Sequence, residues 1–126
     1  MNIASLLILI FLAVTFIQSG YDKIADWKGN VAWLKTHFAD TFLRKRVPQA
    51  LFIILAIEII AGILCAVGVI ELWTNRGGTY GFYGAVAACI ALIFLLFGQR
   101  IAKDYEGAKT ITIYFIPAVL AVYWLS

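Results

Sequence analysis

The sequence predicts an all-α integral membrane protein, a bundle of four transmembrane helices with an amphipathic interfacial helix in the first loop. Hydrophobic residues make up 63% of the 126-residue chain and charged residues only 13%, against roughly 45–50% and about 25% in soluble domains. Four apolar stretches are each long enough to cross a hydrocarbon core, which takes about 20 residues. Because lipid offers no partner to open backbone, and four segments are too few to close a barrel, these stretches are expected to be helices.

The four predicted spans form a single domain over residues 1–126. Their approximate bounds are 3–20, 48–73, 81–99 and 108–125. The first span lacks the basic residues that begin a signal peptide, so we expect it to be retained. The composition excludes a disordered chain, a nucleic-acid-binding domain and an ordinary cytosolic enzyme, and it makes the lipid bilayer the first expected partner.

Three connections join the spans. The second and third, 74–80 and 100–107, are short, which predicts antiparallel neighbouring helices. The first connection, 21–47, is long, and its apolar residues recur at helical spacing: Trp27, Val31, Leu34, Phe38 and Phe42. Two interpretations stay open for this segment, an amphipathic helix lying in the membrane interface or a helix lining the mouth of the bundle.

Lysine and arginine are distributed unevenly across the predicted membrane. Nine of the ten fall in the first and third connections and at the start of the fourth span, whereas Arg76 falls in the second connection. The nine are Lys23, Lys28, Lys35, Arg44, Lys45, Arg46, Arg100, Lys103 and Lys109. Because cytoplasmic loops are enriched in these residues, the first and third connections are predicted to be cytoplasmic and both termini to lie outside.

One acidic residue, Glu58, falls in the middle of the second predicted span. It lies ten residues after Pro48, which is about 15 Å into the membrane at about 1.5 Å per residue. A charged side chain at such a depth costs about 2.5–3.5 kcal/mol on insertion scales, so Glu58 is expected to face the bundle interior, protonated or paired. Two roles stay open for it, a ligand or proton site and a structural pair that fixes helix register.

Each span contributes polar residues near the first and third connections. This distribution predicts a polar pocket that opens toward those connections, with Glu58 at its floor. The predicted pocket residues are Glu58, Lys23, Gln18, Tyr114, Arg100 and Gln99. For Arg100 the alternative of a snorkelling cation at the end of a span stays open.

Small residues on the second and third spans predict close helix packing, with docking of a partner subunit as the alternative. They are Gly62, Gly81, Gly84 and Ala88. Cys65 and Cys89 form no CxxC motif, and we interpret them as small buried apolar residues. We expect no metal site, because the single histidine, His37, has no second histidine or cysteine nearby, and we assign it an ordinary surface role.

Two short motifs resemble the DoxX-like family of small four-span membrane proteins. The first span ends in TFIQSGYDKI and the second contains AIEIIAGILCAVG. The positions that match the family pattern are Gly20, Lys23, Glu58 and Gly62. The resemblance covers essentially the whole chain in length and span count, and it implies a four-helix bundle in a prokaryotic inner membrane.

The resemblance implies a function without naming a ligand. Some members of the family resemble accessory subunits, so we expect an accessory or docking subunit of a larger inner-membrane complex, associated with other membrane subunits or with itself. The family name comes from subunits of a thiosulfate:quinone oxidoreductase. The alternative is therefore a quinone- or small-molecule-linked oxidoreductase component that uses Glu58 as a proton or ligand site. The sequence shows no complete catalytic constellation. A transporter or lipid-binding role is a third, weaker reading, because no inverted repeat or broken helix is visible.

Overall fold

The computed structural model describes residues 3–42 and 45–126, and within these the chain forms five helices. They are α1 (Ile3–Ala25), α2 (Trp27–His37), α3 (Val47–Trp73), α4 (Thr79–Ile101) and α5 (Tyr105–Leu125). Among them, α1, α3, α4 and α5 are long and apolar enough to cross a membrane, which confirms the predicted four-helix bundle. The chain is a multi-pass integral membrane protein in contact with the lipid bilayer. Arg44, one of the nine basic residues counted above, lies outside the described residues.

The helices extend past the predicted spans at several ends. α1 continues to Ala25 instead of ending near Gly20, and α5 begins at Tyr105 instead of near 108. Hydrophobicity marks where lipid begins, whereas a helix continues for as long as its backbone groups find partners. At the start of α5 the Asp104 carboxylate accepts a hydrogen bond from the Gly107 amide at 2.9 Å, which caps a polar first turn.

Small residues bring α3 close to both α1 and α4. A Cβ atom on Gly84 would lie 2.7 Å from the backbone nitrogen of Cys65, and one on Gly62 would lie 3.2 Å from the backbone nitrogen of Ile17. Neither position has room for a side chain unless a helix moves. Gly81 and Ala88 are buried as well, so all four of the small residues singled out in the sequence lie inside the bundle.

The contact between α1 and α3 determines how far α1 extends along α3. Ile17 contacts Gly62, and counting eight residues along each antiparallel helix brings Ala25 level with Ile54. α3 therefore continues from Ile54 back to Val47, about 10 Å beyond the end of α1. We refer to this side of the bundle, which carries the first and third connections, as the loop 1 side. α2 packs against the overhanging part of α3.

α2 is shorter than the predicted interfacial helix. It ends at His37, and the Thr41 hydroxyl then donates to the Phe38 carbonyl at 2.9 Å within a turn. Such side-chain bonds offer the backbone an alternative to continuing the helix. Phe42 consequently lies outside α2 and is exposed, so the prediction that it shares a helical face with Trp27 is wrong.

Candidate functional site: a cavity beside an intramembrane ion pair

A cavity of about 450 Å³ lies between α2 and the loop 1 ends of α3 and α4. Its walls are mostly apolar, and its polar side chains are Lys23, Asn30 and Gln99. The volume and the sparse polar groups are those of small-molecule sites, which occupy about 300–1,000 Å³ and use a few polar side chains to fix orientation. The cavity exists because α1 ends before α3 does, and α2 covers the space that is left.

One wall of the cavity opens sideways toward the bilayer. Ile53 of α3 and Phe94 and Phe97 of α4 line it, and all three side chains are more than half exposed although they belong to membrane-spanning helices. On the opposite wall, Leu34 and Phe38 of α2 face inward, although no residue of α2 is fully buried. α2 therefore lines the mouth of the bundle, which is the second interpretation of its sequence, and its position in the membrane interface stays a prediction.

An ion pair lies next to this cavity, between α1 and α3. The Lys23 Nζ atom is 2.9 Å from Glu58 Oε1, and it donates a hydrogen bond to Ser19 Oγ at 2.7 Å. Glu58 is 1% exposed and Lys23 is 18% exposed. The Glu58 carboxylate is thus buried inside the bundle, whereas the Lys23 side chain reaches the cavity wall. Lys23 therefore links the buried carboxylate to the cavity.

The Lys23 ammonium compensates the buried Glu58 carboxylate. Its Nζ atom lies 2.9 Å from Oε1, a distance at which a rotatable ammonium and a carboxylate attract each other strongly. A carboxylate oxygen can accept more than one hydrogen bond, and no further donor to Oε1 is found within the described residues. This remaining acceptor capacity favours a site where a ligand, a proton or water completes the set.

The inward direction of Glu58 follows from the sequence of α3. Ala61, Gly62 and Cys65 lie three, four and seven residues further along, so they share its helical face, and all are buried. That face is small enough for α1 and α4 to approach closely. Glu58 is carried inside with it, and Lys23 of the neighbouring helix is the cation within reach.

A second polar cluster ties the end of α2 to the connection between α4 and α5. His37 Nε2 lies 3.2 Å from Gln99 Oε1 and 3.5 Å from Asp104 Oδ2. The imidazole also stacks on Trp33 at 4.6 Å between ring centroids. These contacts hold α2 over the cavity, so His37 has a structural task beyond the surface role assigned from the sequence.

The sequence offered only a weak signal for this cluster. The first and third connections are predicted to share one side of the membrane, which brings His37 near the third connection. That connection contains both Asp104 and Glu106, and nothing in their order selects one of them as the partner of the imidazole.

Three predicted pocket residues lie together and three lie elsewhere. Lys23 and Gln99 line the cavity, and Glu58 lies behind Lys23. Gln18 is exposed on the outer face of α1.

The other two predicted residues make aromatic contacts outside the cavity. Tyr114 of α5 stacks on Phe11 of α1, with ring centroids 6.3 Å apart. The Arg100 guanidinium lies 5.3 Å from the centre of the Tyr105 ring at the start of α5. Such cation–π contacts are typical of a cation held at the end of a span.

The part of the chain that the structure describes contains no group of three or more His, Cys, Asp or Glu side chains arranged to hold a metal ion. Cys65 and Cys89 are free thiols, the first buried and the second half-buried.

No protein-family model, curated protein or solved structure matches this chain. Chemically, the arrangement offers a charged, hydrogen-bonding end to an otherwise apolar cavity that opens to lipid.

We expect Lys23→Met to destabilise the bundle more than Glu58→Gln. Removing the ammonium leaves a carboxylate that is 1% exposed without its counter-charge, and breaking a buried pair in this way costs about 3–5 kcal/mol. Removing the carboxylate leaves Lys23 its Ser19 hydrogen bond, so the loss is expected to be about 1–2 kcal/mol. The free energy of unfolding is measured by detergent titration with circular dichroism.

The double variant, Lys23→Met with Glu58→Gln, is expected to be more stable than Lys23→Met alone, because no buried charge remains. Lys28→Met is the matched control, since Lys28 is exposed on α2 and forms no ion pair within the described residues; surface changes of this kind stay within about 0.5 kcal/mol. Simple addition of the two single effects would show that the pair is not coupled.

Proposed function

We propose that the protein binds the polar head of a membrane-soluble amphiphile in the cavity beneath α2. The observation that carries this proposal is the position of Lys23, which lines the cavity and stands 2.9 Å from the buried Glu58 carboxylate. A cation anchored at one end of an apolar cavity recognises an acceptor-bearing head, while the open wall at Phe94 and Phe97 leaves the tail in lipid.

A quinone-type head suits the polar groups that are available. An ammonium has three N–H donors; Ser19 accepts one, and Glu58 lies against the ammonium as its counter-charge, so a donor is left for a ligand carbonyl. The Asn30 amide is already engaged, because its nitrogen donates to the Asp22 and Asp26 carbonyls. When bound, a quinone supplies redox chemistry of its own. This chain's residues orient the head, and Glu58 offers an acceptor for a proton.

Trp33 provides a direct test, because it lines the cavity whereas Trp27, Trp73 and Trp124 do not. With those three tryptophans replaced by phenylalanine, decylubiquinone added to proteoliposomes is expected to quench Trp33 fluorescence saturably. Ala50→Phe fills the cavity from α3 and is expected to weaken binding about fivefold to 150-fold, since overpacking a site costs about 1–3 kcal/mol. Ala32→Phe, which lies outside this cavity on α2, is the matched control and leaves binding unchanged.

Lys23→Gln is expected to weaken quinone binding about tenfold to a hundredfold, because a hydrogen bond from a charged group contributes about 1.5–3 kcal/mol. Quenching that rises linearly with quinone, or that is equal in Ala50→Phe, contradicts binding in the cavity. Saturable quenching by a phospholipid with brominated chains, and none by the quinone, would assign the cavity to lipid and overturn the quinone-type head.

A second candidate function is an accessory or docking subunit of a larger complex, as the DoxX-like resemblance implies. The observation that favours it is the outward surface of α5: within the described residues, only Ala108, Ala118 and Ala121 of this helix are buried. Ile113, Ile116 and Tyr123 are exposed. Such a surface supports docking of another membrane helix beside α5.

Bulky apolar substitutions separate docking on α5 from exposure to lipid. We expect Ile116→Trp to remove a stoichiometric partner from the complex purified in mild detergent, because the indole blocks close approach. Ile63→Trp on α3 is the matched control, since both isoleucines are exposed and both changes remain apolar. If wild type and both variants purify without any other polypeptide, the accessory function is wrong.

We infer that the protein lies in a prokaryotic inner membrane with the loop 1 side in the cytoplasm. The distribution of nine lysines and arginines against one supports the orientation, and the family resemblance supports the prokaryotic inner membrane. In a Cys65→Ala/Cys89→Ala background, Lys35→Cys is expected to react with an impermeant maleimide only after the membrane is opened, and Arg76→Cys before. The reverse pattern of labelling would invert the orientation.

A further inference from the structure

One stripe on the lipid-facing side of α1 has the spacing of a helix-pairing seam. Its members are Leu7, Phe11, Val14, Gln18 and Tyr21, which follow one another at intervals of four, three, four and three residues. All five are exposed in the bundle. A repeat that averages 3.5 residues keeps one side of a helix facing a partner helix along a left-handed crossing.

The polar member of this stripe, Gln18, lies level with the middle of α3. The preceding residue, Ile17, contacts Gly62, which is near the middle of α3. A helical side chain leans toward the N-terminus of its helix. The N-terminus of α1 is on the side opposite to loop 1. The Gln18 amide therefore leans away from the membrane interface on the loop 1 side.

The Gln18 amide has no hydrogen-bond partner among residues 3–42 and 45–126. Hydrocarbon cannot supply one, and a polar group left unpaired there is costly. Glutamine side chains within membranes therefore favour association with a helix that offers a partner. The exposed position of Gln18 shows that such a partner has to come from outside this copy of the bundle.

We propose that two copies of this chain pair through α1, with their Gln18 amides hydrogen-bonded to each other. Copies inserted in the same orientation present the stripe at the same depth, so a two-fold axis along the membrane normal brings Gln18 opposite Gln18. An amide carries both donors and an acceptor. Two identical amides on such an axis therefore satisfy each other, which is the self-complementarity that a symmetric dimer needs.

The neighbouring residues of the stripe support the same partner. Gln18 takes the position in the repeat where a single polar residue fixes the register of paired helices. Val14 is the centre of the stripe and has the smallest side chain of its five members. Phe11 also stacks on Tyr114 of α5, with ring centroids 6.3 Å apart.

Disulfide trapping tests the proposed contact directly. In a Cys65→Ala/Cys89→Ala background, Val14→Cys is expected to form a covalent dimer upon mild oxidation in liposomes at low protein density. Ile63→Cys on α3 is the matched control, because Ile63 is also exposed and lies near the depth of Val14 by the contact of Ile17 with Gly62. Trapping no greater for Val14→Cys than for Ile63→Cys would overturn the proposal.

The amide pair is tested by Förster transfer between labelled copies across a range of protein-to-lipid ratios. Gln18→Leu is expected to raise the dissociation constant about threefold to twentyfold, the range that membrane-embedded hydrogen bonds span. Gln18→Asn retains an amide and is expected to keep most of the affinity. Equal affinity for wild type and Gln18→Leu, or a monomer at all ratios, overturns the pairing.

This pairing does not depend on the ligand cavity. The stripe and the cavity share no residue, so Ala50→Phe, which fills the cavity, is expected to dimerise like wild type. Loss of pairing in Gln18→Leu with normal quenching of Trp33 would separate the two proposals experimentally.

Discussion

The close contact between α1 and α3 at Gly62 determines most of the functional geometry. Without a side chain at this position, the backbone of α1 at Ile17 rests directly on α3, and the relative height of the two helices is set. Six residues after Ile17, Lys23 then stands within 2.9 Å of Glu58. The same register places the end of α1 level with Ile54. The part of α3 that extends beyond α1 is covered by α2. One glycine thus positions both the ion pair and the cavity.

The ion pair costs more than an apolar pair of the same size would. Withdrawing two charges from water is expensive, and well-packed hydrophobic residues often replace such pairs without loss of stability. In this bundle the small residues already provide close packing without Glu58. A carboxylate that is 1% exposed and paired with Lys23 at 2.9 Å is therefore more than close helix packing requires.

The sequence was sufficient for the fold and for the direction in which Glu58 faces, because both follow from hydropathy and from the cost of charge in lipid. It was not sufficient for the pocket. Ser19 and Lys23 are four residues apart and share the inward face, whereas Gln18 is about 100° away around the helix and faces lipid. The sequence shows that these three polar residues lie close together in the chain, but it does not show which of them face the bundle interior.

Hydropathy also does not determine the register between helices, which is their relative position along the bundle axis. Periodicity gives the face of each helix, but the height of one helix on another depends on which backbone atoms can touch. The cavity, which results from a difference in height between α1 and α3, could not be predicted for that reason. His37 and Asp104 meet for a related reason, since their contact depends on where α2 comes to rest after α1 has ended.

The contacts at the two ends of α2 indicate how a ligand would reach the cavity under the proposed function. At its start the Asn30 side-chain amide donates to the Asp22 carbonyl of α1 at 3.3 Å, and at its end His37 is tied to Gln99 and Asp104. Because α2 is restrained at both ends, we expect a ligand to enter through the opposite wall of the cavity. The open wall at Ile53, Phe94 and Phe97 faces lipid. An occupant that enters by this wall has to be dissolved in the bilayer already, and only its head meets the Lys23 ammonium.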